Sequence, residues 1–170
     1  PFFLNLWYYL VHVPIEAKPE YIRYFEKKKK DLSLDMVEEF ETGDYFPCEH
    51  KKDKRIIRRL IQSDPVYAAM LKSLDENIGR LIKTLKDEGI YDDTVVIFTS
   101  DNGGLSTAEG SPTSNKPLNE GKGWMYEGGT REPLLVRWPR VIQAGSTTES
   151  VVTSPDFYPT ILDLAGIPAH

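Results

Sequence analysis

The chain has 170 residues, 40% of them hydrophobic and 28% charged, which is enough for one domain with a sizeable core. Its net charge of −5 argues against general nucleic-acid binding, and no apolar run is long enough to span a membrane. The single cysteine, Cys48, excludes an internal disulfide.

The first segment, Phe2 to Leu10, is apolar and aromatic and predicts a buried strand. Pro14 ends that strand, so His12 lies where strand gives way to loop. A histidine in this place is either a hydrogen-bonded structural residue or a proton donor, and the sequence leaves both open. Because no turn or cap precedes the strand, we expect the natural N-terminus to lie upstream.

The next part of the chain has a mixed, charged character. Pro19 to Lys30 predicts a helix, with a solvated lysine run (Lys27 to Lys30) at its C-terminal end. Glu38 to Asp53 predicts a loop or a short helix. Cys48 and His50 are too sparse a pair to predict a zinc site.

Asp64 to Gly89 shows the clearest helical periodicity, with Asp64 as the expected N-cap and Gly89 as the stop. Gly79 within it suggests a close approach to the sheet. A second helix is expected over Pro155 to Ala165, with Ser154 as its N-cap.

Between the two helices an apolar run, Val95 to Phe98, predicts a strand covered on both faces, as in a parallel sheet. Asp101 and Asn102 follow it, at the strand end where ligands bind in open α/β sheets. Their oxygens, followed by two glycines, suit Ca²⁺ or Mg²⁺. An ordinary Asp-Asn-Gly turn is the alternative.

Leu105 to Glu120 is a long polar segment that predicts a functional or disordered loop. Lys122 comes directly after it, between two glycines, where its ammonium group could meet an anion. Glu127 and Arg131 form a possible local ion pair. Another short strand is predicted over Leu134 to Trp138.

Three strand-to-loop positions thus carry His12, Asp101 with Asn102, and Lys122. A histidine can protonate a leaving group, a bound cation can polarise an oxyanion, and a lysine can bind it. Together they describe hydrolysis of a tetrahedral anionic ester, although spacing alone does not show that they converge.

Two motifs connect these residues to a known family: S-D-N-G-G at residues 100–104 and G-K-G-W-M-Y-E-G-G-T-R-E-P at residues 121–133. With P-F-F-L-N-L-W-Y-Y-L-V-H-V-P at the start, they make the chain resemble the type I sulfatases, the arylsulfatase A-like group of the alkaline-phosphatase-like superfamily. The resemblance covers nearly all of the chain except residues 18–63.

The resemblance implies an α/β fold: a partial alkaline-phosphatase-like architecture with a central mixed, mostly parallel sheet and flanking helices. It implies that residues 1–170 form the C-terminal portion of a sulfatase catalytic domain, with residues 18–63 as a variable helical or loop insertion. The nucleophile motif C/S-x-P-x-R is missing, since Cys48 lies in F-P-C-E-H-K-K.

The resemblance also implies roles for single residues. Asp101 and Asn102 match two ligands of a Ca²⁺ ion, for which Mg²⁺ is the alternative. Lys122 matches a lysine that bridges the sulfate and the leaving oxygen, and His12 matches the histidine beside that oxygen. The attacking formylglycine would lie upstream of this chain.

The implied function is sulfate ester hydrolysis, on a sulfated sugar or an aryl sulfate, in a periplasmic or extracellular parent protein. The chain by itself is expected to be inactive and to self-associate through an exposed sheet edge. A phosphodiesterase or phosphonate hydrolase of the same superfamily and a non-catalytic binding module are the alternatives, and the upstream sequence would discriminate among the three.

Overall fold

The computed structural model describes residues 1–168. Two compact units are present, one formed by Pro1–Trp138 and one that begins at Pro139. The helices and strands are α1 (Pro19–Asp31), β1 (Phe40–Tyr45), β2 (Arg55–Arg59), α2 (Pro65–Asp87), β3 (Val96–Thr99), α3 (Glu127–Thr130), β4 (Leu134–Arg137) and α4 (Ser154–Leu164). None of the helices among the described residues is long and apolar enough to cross a bilayer.

The long helix α2 confirms its prediction, including its start. The side chain of Asp64 accepts hydrogen bonds from the N–H groups of Val66 and Tyr67, at 2.9 and 3.0 Å, so two free donors of the first turn are satisfied. Helix α1, also as predicted, packs against α2. Gly79 is exposed and nothing comes within 4 Å of a Cβ built on it, so the close approach expected there does not occur.

Strands β1 and β2 form an antiparallel hairpin that the sequence did not predict, since a loop or short helix was expected over Glu38 to Asp53. Phe40 pairs with Arg59, and the guanidinium of Arg59 lies 4.4 Å from the centre of the Phe40 ring. The residues of β1 alternate poorly between buried and exposed. The hairpin was therefore missed, because its local sequence pattern is weak and because it is bonded to residues that are distant in sequence.

Strands β3 and β4 confirm two predicted strands but correct their pairing. They run antiparallel, from Val96 opposite Arg137 to Thr99 opposite Leu134. Both sheets found in residues 1–168 are two-stranded and antiparallel, so the mostly parallel arrangement is not present among them. An apolar run cannot by itself distinguish a parallel from an antiparallel partner. The α/β class holds.

The strand predicted over Phe2 to Leu10 is wrong. The segment has no regular secondary structure, and Phe3 and Trp7 are 69% and 89% exposed. No strand in the described part of the chain pairs with it, and an apolar segment becomes a strand only when a partner satisfies its backbone groups.

The polar segment from Leu105 to Glu120 is a loop, as predicted, and several of its side chains are buried. Ser106, Ser111 and Thr113 are each 3–4% exposed. Ser111 Oγ donates to the carbonyl oxygen of Ile57 at 2.8 Å, so the segment is bonded to strand β2. The interior of the first unit is therefore built largely from hydrogen-bonded polar groups.

In the second unit, helix α4 begins one residue earlier than expected, and its N-cap is Thr153 rather than Ser154. The carboxylate of Asp156 accepts hydrogen bonds from the N–H group and the hydroxyl of Thr153, at 2.7 and 2.9 Å. These bonds, led by the one from the backbone, lower the pKa of Asp156. The predicted cap was wrong because Thr153 and Ser154 are adjacent and both carry a hydroxyl that can cap a helix, so the sequence does not distinguish them.

Candidate functional site

The loop after β3 carries the first two predicted site residues. Asp101 is exposed, and Asn102 is half-buried. The hydroxyl of Ser100 donates to the carbonyl oxygen of Asn102 at 2.9 Å, across a bend in the chain. The exposure of Asp101 is compatible with both readings of this loop, an ordinary polar turn and a pair of cation ligands.

Main-chain hydrogen bonds join this loop to the segment that carries Lys122. Gly103 N–H donates to the carbonyl oxygen of Gly129 at 3.2 Å, and Lys122 N–H donates to that of Gly104 at 3.1 Å. Lys122 itself is half-buried. The structure therefore brings the S-D-N-G-G and G-K-G motifs together.

Glycines make this close approach possible. A Cβ on Gly103 would lie 1.8 Å from the carbonyl oxygen of Gly128, and one on Gly121 would lie 2.2 Å from that of Gly104. Neither contact can be relieved by a side-chain rotation, because backbone atoms form the obstacle. The glycines that flank the site residues are thus required by packing between the two loops.

Asn115 connects the same two loops through its side chain, and the sequence analysis did not identify it. Its amide nitrogen donates to the carbonyl oxygens of Gly104 and Glu120, at 2.8 and 2.9 Å. Gly104 lies two residues after Asn102, and Glu120 lies two residues before Lys122. No local sequence signal distinguishes this asparagine from its polar neighbours, so only the fold reveals it.

Glu132 is a second residue that the sequence reasoning missed, although it lies within the quoted G-K-G…R-E-P motif. Burial, and to a smaller extent the charge of Asp101, raises the pKa of Glu132. Its Oε1 atom is buried and has no hydrogen-bond partner in the described structure. The carboxyl groups of Glu132 and Asp101 therefore lie close enough to interact electrostatically. Arg131 does not neutralise them, since its Nη1 lies 3.3 Å from Oε2 of Glu127, the pair that the sequence suggested.

These groups match the chemistry of a hard cation. Asp101 and Asn102 offer oxygen ligands, and the adjacent charge of Glu132 favours a positive ion there. Within residues 1–168, however, no group of three or more His, Cys, Asp or Glu side chains lies close enough to hold a metal. Asp101 and Asn102 therefore fit as two ligands of a Ca²⁺ or Mg²⁺ site, which would need further oxygen ligands.

His12 lies in a turn near the N-terminus and is exposed. Its backbone N–H donates to the carbonyl oxygen of Tyr9 at 2.9 Å, and its Nδ1 lies 2.8 Å from that of Val13. A carbonyl oxygen only accepts, so Nδ1 carries a proton and Nε2 is the nitrogen available for chemistry. These contacts are local, and the place of His12 beside Asp101 and Lys122 stays a prediction.

Comparison with known proteins adds to this geometry. A family model described as Sulfatase matches residues 1–167. A Formosa agariphila protein described as a sulfatase is 42% identical over 129 residues, which cover 70% of this chain and 22% of that protein.

Solved structures give the same match in three dimensions. The chain aligns with Ps i-CgsB in complex with k-i-k-neocarrahexaose at a TM-score of 0.66 and 30% identity, over 95% of this chain and 28% of that one. It also aligns with BT4656 in complex with its substrate, D-glucosamine-2-N,6-O-disulfate. The TM-score is 0.52 and the identity 35%, over 62% of this chain and 20% of that one. The chain thus spans between 20% and 28% of the length of these proteins.

Proposed function

This chain belongs to the sulfatase family, and on that premise we propose that it supplies part of the active site of a sulfate ester hydrolase that acts on sulfated sugars. The observation that carries the proposal is the junction between the two motif loops. It connects the backbone beside Asp101 and Asn102 directly to the backbone of Lys122. A negatively charged sulfate oxygen would be stabilised from two directions, by a cation held by Asp101 and Asn102 and by the ammonium of Lys122.

In this proposal Lys122 binds an oxygen of the sulfate group. Lys122 is half-buried as a residue, so its attraction for the oxyanion is expected to be screened less than that of a fully solvated lysine. Asp101 and Asn102 hold the cation, and Glu132 adds negative charge behind them. A Ca²⁺ ion bound there would act as a Lewis acid on the sulfate oxygens.

His12 is proposed to carry the proton that the leaving oxygen takes. The bond from Nδ1 to the Val13 carbonyl fixes which ring nitrogen remains available, so the proton moves from Nε2 of the imidazolium form. An exposed ring can exchange that proton with solvent between turnovers.

The nucleophile is proposed to lie outside these 170 residues, as a formylglycine whose hydrate attacks sulfur. The extent of the match supports this, because the chain corresponds to only 22% of its F. agariphila relative. Cys48 lies in the turn between β1 and β2 and its Sγ is 4.0 Å from Nε2 of His50, so its described partner is not a residue of the candidate site. The isolated chain should therefore not hydrolyse 4-nitrophenyl sulfate.

A sulfated sugar is the proposed substrate class. BT4656, whose fold this chain shares in part, has a disulfated glucosamine as its substrate. The named ligand of Ps i-CgsB is a neocarrahexaose. An aryl sulfate serves as the test ester because its hydrolysis requires only the groups that act on sulfate.

Substitution of Lys122 in the complete sulfatase that contains this chain tests the proposal. Lys122→Ala should lower kcat/KM for 4-nitrophenyl sulfate by about 10²-fold or more, the scale of one lost oxyanion-stabilising group. Lys30→Ala removes the same charge from an exposed position of α1 and should leave kcat/KM unchanged. An unchanged kcat/KM in Lys122→Ala would remove this lysine from the site.

A further inference from the structure

Glu120 lies two residues before Lys122 and has a left-handed backbone conformation, with a φ of +59°. Residues with a Cβ atom seldom adopt this conformation, because the Cβ comes too close to the following carbonyl oxygen. The Glu120 side chain is also buried, with 5% of its surface exposed. A charged side chain that is this deeply buried is normally paired, and a strained backbone persists where its surroundings hold it. The contacts of Glu120 therefore decide the course of the chain into Lys122.

Arg58 in strand β2 supplies two hydrogen bonds to this side chain. Its Nε donates to Glu120 Oε1 at 2.9 Å, and its Nη2 donates to the same oxygen. The Nη1 of Arg58 lies 4.0 Å from Glu41 Oε1, but that side chain is 47% exposed, so solvent screens this second interaction. Glu120 Oε2 is buried without a partner in the described structure, so the carboxylate is held through Oε1. The pair thus joins residues that lie 62 positions apart in sequence.

The backbone transmits the position of Glu120 to Lys122. Gly121, between them, is buried, and Lys122 N–H donates to the carbonyl oxygen of Gly104 at 3.1 Å. Trp124 N–H donates to the carbonyl oxygen of Gly121 at 3.0 Å, so the main chain turns around Lys122. A displacement of Glu120 would therefore displace the Cα atom from which the lysine side chain starts.

We propose that the Arg58–Glu120 pair positions Lys122, with Glu120 as a positioning residue that acts through the lysine; this inference rests on the proposed function. The pair fixes where the lysine side chain starts and therefore which atoms its ammonium reaches. Arg58 belongs to residues 18–63, the part of the chain outside the motif resemblance, so the sulfate-binding lysine would depend on that segment. Misplacement of a reacting group by about 1 Å can cost about 10²-fold in rate.

Kinetics of the complete sulfatase with 4-nitrophenyl sulfate test this inference in the wild-type and the Lys122→Ala backgrounds. Glu120→Ala removes the bonds to Arg58 and should lower the wild-type kcat/KM about tenfold, within the roughly 10²-fold loss expected of Lys122→Ala. In the Lys122→Ala background, Glu120→Ala should change kcat/KM less than about twofold, because Glu120 acts through the lysine. Glu120→Gln keeps an acceptor oxygen for Arg58 and should stay within about threefold of the wild type.

Glu39→Gln is the matched control for lost stability, since it weakens the ion pair of the neighbouring Arg59 and should leave kcat/KM unchanged. An equal loss from Glu120→Ala in both backgrounds, or no loss in either, would overturn the inference and leave the proposed function standing. An unchanged kcat/KM in Lys122→Ala would remove the proposed function, and this inference with it. Should Glu120→Ala fail to fold, Glu120→Gly adopts a left-handed φ without strain, cannot bond to Arg58 and should show the same coupled loss.

Discussion

Gly103 donates its backbone N–H to the carbonyl oxygen of Gly129 at 3.2 Å, and this bond joins the Asp101 loop to helix α3. A Cβ on Gly103 would lie 1.8 Å from the neighbouring carbonyl oxygen of Gly128. The relative placement of the proposed cation ligands and Lys122 thus depends on main-chain packing between two glycine-rich segments, to which the side chain of Asn115 adds its two hydrogen bonds.

The first prediction follows from that contact. Gly103→Ala should lower the free energy of unfolding by about 3 kcal/mol, the upper end of overpacking effects, because the obstacle is backbone. Gly79→Ala is the control: it is exposed in α2 with nothing within 4 Å, and it should raise stability by about 0.5–1 kcal/mol. Urea titration of the wild type and both variants measures this. Equal stability of Gly103→Ala and the wild type would contradict the packing argument.

A second prediction concerns acid stability. Burial alone would raise the pKa of Glu39, but hydrogen bonds from Lys29, Ser63 and Arg59 outweigh it and lower that pKa from 4.5 to about 2. A carboxylate with a lowered pKa stabilises the fold above its unfolded pKa, and this contribution is lost as the pH falls from about 4.5 towards 2.

Glu39→Gln should therefore destabilise the chain by about 1–3 kcal/mol at pH 7 and flatten the fall in stability below pH 4.5. Glu38→Gln removes the same charge from the exposed neighbouring position and should leave the pH profile as in the wild type. Chemical denaturation at several pH values between 2 and 7 is the measurement. Parallel profiles for Glu39→Gln and the wild type would show that the network around Glu39 contributes nothing.

The third prediction concerns metal binding by the isolated chain. Ca²⁺ takes about 6–8 oxygen ligands, whereas Asp101 and Asn102 supply two side chains and no larger ligand group is present in residues 1–168. Calorimetry should therefore detect weak Ca²⁺ binding or none. Micromolar affinity that disappears in Asp101→Ala and persists in Asp35→Ala, an exposed aspartate in another part of the chain, would overturn this expectation.

A fourth prediction is that the isolated chain self-associates. Phe3 and Trp7 are 69% and 89% exposed, and strands β3 and β4 are each paired on one side in the described structure. Exposed apolar surface and unpaired strand edges favour association with another copy. Light scattering should show species larger than a monomer, and the double variant Phe3→Ser with Trp7→Ser should reduce them.

Met125→Ser is the control for that experiment, because Met125 is 92% exposed but lies outside the N-terminal segment. A monodisperse wild-type monomer with a cooperative melt and no binding of an apolar-surface dye would mean that the chain closes its own core.

Local signals predicted the helices well. The start of α2 at Asp64 follows from a cap and a proline that lie next to each other in sequence, and the structure confirms it. The β1–β2 hairpin was missed because its bonds reach residues about fifty positions later, as in the bond from Arg59 Nε to the Ser111 carbonyl. Such long-range bonds produce no alternation of apolar and polar residues in the strand itself.

The residues of the candidate site could be predicted from the sequence, but the contacts that hold its loops together could not. The motifs indicated Asp101, Asn102 and Lys122. The hydrogen bonds that join their loops, the bonds from Asn115 and the partly buried carboxyl of Glu132 are visible only in the structure. An apolar run at Phe2 to Leu10 predicted a strand wrongly because periodicity does not reveal whether a pairing partner is available.

The polar interior of the first unit has a thermal consequence. The buried apolar side chains in the described residues are Ile56, Ala69, Met70 and Leu85, whereas the buried polar ones include Ser106, Thr107, Ser111, Thr113 and Glu120. Exposure of apolar surface raises the heat capacity on unfolding and exposure of polar surface lowers it. The heat-capacity increment of this chain should therefore fall below the roughly 2 kcal/mol/K typical of its length. Its stability curve against temperature is correspondingly shallow, so cooling and moderate warming change the folded population less than in a protein with a hydrocarbon core.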